Sequence, residues 1–476
     1  MMKTFLARYR IGRVPAPAIL AVAAVMVLGG CDLGVFDPGQ IEDADLLDRR
    51  AINPMIAGVE GEFAYATTGE RPGGTFGAVA FLTDEIVHSG QFVGMRDWSN
   101  AGHIGNGVAE TSSRWAFASR ARWSAEEAIR RITQILENDG QAPAADLNMA
   151  RVTTWAGFTN RVLGDTFCDA VIDGGPRQPT SAFYERAENH FTNAIAIGGA
   201  AGADSLVTAA YAGRAQVRMM LGNWPGAVAD AARVPIGYVH ETRHSENSSR
   251  ENNGLHNLFM RDTQASIWGT PFAEWGTITN AAQVEQHRGS LEGVPATEGD
   301  PRVRYHVSLV TTGATARYVI GGDTRRPNWE PRKYEFRESN VPVAKGTEMR
   351  LIEAEAALVG GDWGAAISKI NEVRTHRGLG AVAGTSADEA WQLLMKERGI
   401  ELWLEGRRAA DLRRWAQTPG SVPFTVVRLE NSGNPPLTDE RRNVLEFRDA
   451  SNNALPLGQG LCLPISENEV NSNPNL

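Results

Sequence analysis

The chain has 476 residues, enough for a large core with further substructure around it, and its 42% hydrophobic and 22% charged content excludes a disordered or fibrous polymer. The formal net charge is −9; residues 1–30 hold four cations (Lys3, Arg8, Arg10, Arg13) and no acid, so the remainder carries −13. An acidic body without a dense basic stripe excludes phosphate-neutralising nucleic-acid chemistry and suits a neutral or peptide-like ligand.

The first predicted element is an apolar run from Ala16 to Leu28, ending in Leu28-Gly29-Gly30-Cys31. It is too short for a membrane span, which needs about 20 apolar residues, and reads as a signal-peptide core over residues 1–30. The small residues before Cys31 form a lipobox, so Cys31 is the expected lipidation site. Residues 31–42, with Pro38 and two glycines among them, are the expected tether. Several acyl chains, each buried methylene contributing about 0.8 kcal/mol, hold such a chain stably on a membrane. No later stretch is long enough to cross a bilayer.

From residue 43 to 236 helical patterns dominate. Ser181 caps a predicted helix; a second runs through Tyr211, Ala215 and Leu221 and stops at Gly222-Asn223; a third starts at Trp224-Pro225. Residues 237–345 are rich in Gly, Pro, Asn, Thr and Arg, with short β-like runs at Arg304–Thr311 and Arg317–Ile320. This region also opens with His240-Glu241-Thr242-Arg243-His244, which spells H-E-x-x-H. A zinc site of that type needs both imidazoles on one helical face. Pro235, Gly237 and the polar run Ser245–Asn253 around it predict a loop instead, so no metal is expected.

Helical periodicity returns over residues 346–476, as far as about Trp415. Leu-Gly-Asn-Trp-Pro-Gly-Ala ending at Ala227 parallels Gly-Gly-Asp-Trp-Gly-Ala-Ala ending at Ala366, each with a small residue (Ala215, Ala354) nine before the tryptophan. The pattern is that of tetratricopeptide-like hairpins, although the copies are not in tandem. Glu397, Glu401 and Glu405 are spaced for one helical face, where Arg398, Arg408, Asp411 and Arg414 can pair, with Trp403 and Trp415 in the core. A glycosidase pair needs carboxyls flanking a cleft, which two acids on one stripe do not provide. Cys168 and Cys462 match no zinc spacing, and their pairing stays open at this level.

The segment LLMKERGIELWLEGRR from Leu393 to Arg408, with DLRRW from Asp411 to Trp415, resembles the signature of the SusD/RagB family. Other blocks agree in order: Asp300-Pro301-Arg302, Lys333-Tyr334, Leu351–Ala357 with Gly361-Asp362-Trp363, and Ile370–Arg374 with Arg377-Gly378-Leu379. Leu463-Pro464-Ile465, Glu469 and Asn473-Pro474 resemble the family's closing block, with Ser466 replacing a proline. Thr83-Asp84-Glu85 and Trp115 match the N-terminal helices, whereas Glu126 stands where an asparagine is usual.

The resemblance implies a mostly α fold: tetratricopeptide-like helical hairpins in an α–α superhelix, with a loop-rich ligand-binding region and a few short strands. It implies an outer-membrane lipoprotein, anchored through its N-terminal lipid at the cell surface, that captures an oligosaccharide or peptide nutrient for a SusC-like TonB-dependent barrel. It implies neither enzymatic activity nor a cofactor. Asp32 would retain a lipoprotein at the inner membrane under one sorting rule, whereas family members in other bacteria carry acidic residues there for export. The resemblance implies ligand capture on the loop-rich face, for which Trp98 with Arg96 and Asn100, Trp268 and Trp275, and Trp329 with Asn328 are the candidate contacts. The alternatives are a periplasmic helical-repeat scaffold and, last, a hydrolase using His240 and His244 or the paired acids.

Overall fold

The computed structural model describes residues 47–69, 73–99, 104–421 and 461–476, with four short strand segments between 427 and 455. The signal peptide, Cys31 and the tether lie outside the described residues.

Apolar residues at helical spacing form α1 (Ile52–Thr68), α2 (Gly74–Leu82), α3 (Val93–Ser99), α4 (Ala109–Asn138) and α5 (Leu147–Thr166). Three more follow: α6 (Ser181–Ala200), α7 (Asp204–Met220) and α8 (Trp224–Ala231). Asp146 caps α5 by accepting the N–H groups of Asn148 and Met149. Helix α5 is buried along nearly its whole length and packs between α4 and α6. The Ser181 helix starts where expected, but Ser181 is not its cap. Thr180 precedes it in a helical conformation, and its hydroxyl bonds the carbonyls of Gly164 and Phe167 instead.

The second helical block comprises α9 (Gly346–Val359), α10 (Trp363–His376), α11 (Ala387–Glu401) and α12 (Arg408–Trp415). The internal repeat is a structural one. Gly222 (φ 74°) and Gly361 (φ 82°) close α7 and α9 in the left-handed region that glycine enters freely. The side chains of Asn223 and Asp362 then cap α8 and α10 through the N–H groups of Gly226 and Ala365. More than a hundred residues separate the hairpins in sequence, yet α9 packs directly on α7 and α8. The fold is therefore helix-rich with stacked hairpins, and its strands are short.

Between the blocks, β4 (Val239–Thr242) pairs antiparallel with β11 (Val341–Lys345), tying the two hairpins together. Strand β7 (Asp300–Val307) lies between parallel β6 (Gly276–Ile278) and antiparallel β10 (Trp329–Pro331); β8 (Leu309–Thr312) and β9 (Thr315–Tyr318) form a hairpin. The H-E-x-x-H residues begin on strand β4, not on a helix. His240 packs against Trp155 and Phe158, with ring centroids at 4.9 and 5.2 Å. Burial there, with Arg151 nearby, pulls its imidazole down to about 4. His244 instead bonds the hydroxyls of Thr68 and Thr242 through Nε2.

The signature segment is the electrostatic centre of the core. Glu348 binds Arg398 and Arg407; Asp411 binds Arg398 and Arg414; Glu355 binds Arg414 and the indole N–H of Trp415. Arg407 also pairs with Asp165 of α5. Trp403 and Trp415 are buried as expected. One expectation needs correcting: Glu397, Glu401 and Glu405 do not share a helix. Helix α11 ends at Glu401, and Leu404 (φ 58°) and Gly406 (φ 70°) turn the chain through the left-handed region. The N–H of Leu404, freed from the helix ladder, donates to the buried carboxyl group of Glu85 at 2.6 Å.

The usual asparagine is replaced at Glu126 by a hub of another kind. Its carboxylate accepts from Arg122, Asn160 and Arg186 and meets His190 at 3.2 Å. Burial would raise this carboxyl, but those partners hold it well below the ordinary carboxylate range.

Cys168, just after α5, and Cys462, in the C-terminal segment, form a disulfide across 294 residues. Beside it, the N–H of Cys168 donates to the carbonyl of Leu463, and that of Leu463 to the carbonyl of Thr166. Among the described residues no helix is long and apolar enough to cross a membrane.

Candidate ligand-binding face

Three irregular segments converge on one side of the helical frame. Strand β1 (Val87–His88) pairs antiparallel with β5 (Ala265–Ser266), and the N–H of Ser89 extends the pairing to the carbonyl of Gln264. The third segment, around residues 320–329, is fastened to both. Arg326 donates to the carbonyl of His88 at 2.6 Å, the N–H of Asp323 donates to the carbonyl of Ser89, and Ser266 Oγ accepts the N–H of Trp329. Backbone groups that no regular sheet would satisfy are thus paired between loops, which makes an irregular surface rigid.

The predicted contacts take different places on this face. Trp98 and Trp329 are each 1% exposed and belong to the core beneath it, which corrects the expectation that their faces meet a ligand. Trp98 donates through Nε1 to Thr111; Trp329 stacks on Tyr305 and meets the edge of Tyr318. Asn328 is buried too and donates to Glu330. A large aromatic ring in a loop loses its solvent face when neighbouring loops close over it, and spacing along the chain does not report that closure. Trp268 and Trp275 are half-buried. Trp275 leans on Phe272, with Lys396 Nζ 5.5 Å from its ring centroid. Arg96 is exposed, and Asn100 lies outside the described residues.

What the face presents to solvent is a ridge not nominated above: Phe92 (36% exposed), Val93 (56%) and Ile320 (40%), accompanied by exposed Gln91, Arg96 and Arg325. Gly322 brings the 320s loop against Gly90 and Gln91, and the N–H of Gln91 is held by the side chain of Gln264. An apolar ridge flanked by amides and guanidinium groups suits a ligand with both apolar faces and hydroxyls. The sequence carried one signal for it, the apolar pair Phe92-Val93 inside a polar run before Trp98.

The alternative acid pair has no such setting. Glu401, with no exposed side-chain surface, binds Lys345, Arg302, Arg377 and the hydroxyl of Thr347. Burial would raise its carboxyl, but Lys345 and Arg377 hold it well below the ordinary range. Glu405 is bound by Lys333 and Lys345. Carboxylates buried and paired in this way have no access to a sugar.

Residues 247–476 match the family model described as the SusD family. Over that segment, just under half of the chain, the sequence is that of the SusD family. The fold of the chain is shared with solved structures well beyond the matched segment. It is similar to a SusD-like protein from Bacteroides fragilis at 14% identity, covering 92% of this chain and 98% of that one, with a TM-score of 0.62. A SusD-like carbohydrate binding protein from Bacteroides fragilis aligns at 14% identity, 90% and 98% coverage and a TM-score of 0.59. A SusD superfamily protein from Bacteroides vulgatus aligns at 16% identity, 90% and 98% coverage and a TM-score of 0.58. No curated protein matches the sequence significantly.

Proposed function

We propose that this chain is a lipid-anchored outer-membrane protein that captures an oligosaccharide at its three-segment face and passes it to a SusC-like TonB-dependent barrel, without chemical turnover. The observation that carries the reading is the rigid, interlocked loop face, exposing Phe92 and Val93 beside Arg96 on an otherwise helical scaffold. The carbohydrate binding of the similar Bacteroides fragilis protein supports the ligand class. The lipobox ending at Cys31 supports anchoring, and the Cys168–Cys462 disulfide suits an oxidising compartment outside the cytosol.

Affinity electrophoresis of the purified chain through gels containing amylopectin, xyloglucan, arabinoxylan, galactomannan or pectic galactan tests this reading. The native chain is expected to be retarded by at least one polymer without shortening it, and Phe92→Ala with Arg96→Ala to lose at least tenfold in affinity. Absence of retardation in all five gels, or release of reducing ends, would overturn it.

A further inference from the structure

Helix α4 buries a stripe that includes Trp115, Ala118, Ala121 and Ala125, and leaves Trp123 outside it. At 55% exposure Trp123 is the most solvent-exposed of the twelve tryptophans. It stands at the edge of a concavity of about 270 Å³ that Ser119, Arg120, Arg122, Asp173 and Glu469 also line.

The polar groups of this concavity are held in place before any ligand arrives. Arg122, with 5% of its side chain exposed, bonds Glu126 on one side and Asp173 on the other, each at 2.6 Å. Asp173 (φ 52°) and Gly174 (φ 70°) occupy the centre of a tight turn closed by the N–H of Gly175 on the carbonyl of Ile172. Asp-Gly is the pair that such a turn favours, so the mount of Asp173 is rigid while its carboxylate stays 57% exposed. From the other side, Glu469 accepts the indole N–H of Trp115 and an N–H of Asn473.

We propose that this concavity is a second carbohydrate subsite, which takes one pyranose ring of a glycan. The ring would lay its C–H face on Trp123 and direct hydroxyls to the carboxylates of Asp173 and Glu469 and to the arginine N–H groups. The volume is below the usual range for drug-sized ligands, about 300–1,000 Å³, so it fits one ring rather than a folded peptide. An open indole face among fixed acceptors and donors matches a molecule that is apolar on its faces and polar at its rim. The subsite is distinct from the loop face. Thr111, which holds Trp98 there, and Trp123 are twelve residues apart on α4, about 18 Å along a straight helix. Two contacts on one polymer raise apparent affinity without either being strong.

The inference rests on the glycan reading above, and one experiment separates the two. The full chain labelled with 5-fluorotryptophan, its Trp123 resonance assigned from Trp123→Phe, is titrated with hexasaccharides cut from whichever of the five polymers retards it. The Trp123 resonance is expected to shift saturably, and Trp123→Ala to weaken retention by the parent polymer at least threefold. Native retention with an unmoved Trp123 resonance would overturn the subsite and leave the capture reading intact. No retention by any polymer would overturn both.

Discussion

Arg408 and Asp84, 324 residues apart in sequence, meet in the core through two parallel hydrogen bonds, Nε to Oδ1 at 2.8 Å and Nη2 to Oδ2 at 2.7 Å. Neither side chain is more than 2% exposed. The pair joins the segment after α2 to the start of α12, so it holds the N-terminal helices on the signature region. Removing one partner strands a buried charge, which costs about 3–5 kcal/mol, whereas removing both costs much less. Arg408→Met is expected to lower the denaturant midpoint sharply, and Asp84→Asn in the same chain to restore much of it. Urea unfolding followed by circular dichroism checks both. Additive losses in the double variant would mean that the charges do not couple.

Glu85, the next residue, faces the opposite way energetically. Burial pushes its carboxyl up to about 8 from an ordinary 4.5, against the pull of the Leu404 N–H and of nearby Arg408 and Lys333, while Asp84 adds to the rise. The folded chain therefore holds Glu85 protonated at neutral pH. A carboxyl raised by folding contributes stability that is complete below about 4.5 and is lost as pH rises through about 8. The thermal midpoint of the native chain should fall across that window relative to Glu85→Gln, which keeps the shape of the protonated acid. Parallel midpoint-against-pH curves for the two proteins would contradict the assignment.

The Cys168–Cys462 disulfide closes a loop spanning 294 residues and fastens the C-terminal segment beside α5. By chain entropy a loop of this length stabilises the fold by about 6 kcal/mol. Cys168→Ala with Cys462→Ala should unfold several degrees lower than the native chain under non-reducing conditions. The two should coincide in excess reductant. Calorimetry under both conditions decides it, and equal midpoints without reductant would show the bond to be absent or without effect.

Much of the frame was readable beforehand, because its causes are local. The Gly222-Asn223-Trp224 and Gly361-Asp362-Trp363 turns combine a left-handed glycine, a side-chain cap and a new helix within three residues, so the repeat stands out in a one-dimensional string. The charged signature was legible as structural for a similar reason, since so many ionic groups among aromatics must pair to be buried. Four-residue spacing predicts a helix only while the helix lasts, so it places Glu405 wrongly: a distant carboxyl group, that of Glu85, stabilises the break at Leu404.

By itself, then, the order of residues determined the helical blocks, the loop-rich interval, the hairpin turns and the family signature, all set by periodicity and short-range hydrogen bonding. Tertiary structure alone decided which aromatic rings meet water. Trp98 and Trp329 are covered by segments remote in sequence, while Phe92 and Trp123 are left open by them. Exposure is a property of what packs above a side chain, and that neighbour is chosen by the whole fold rather than by the adjoining residues.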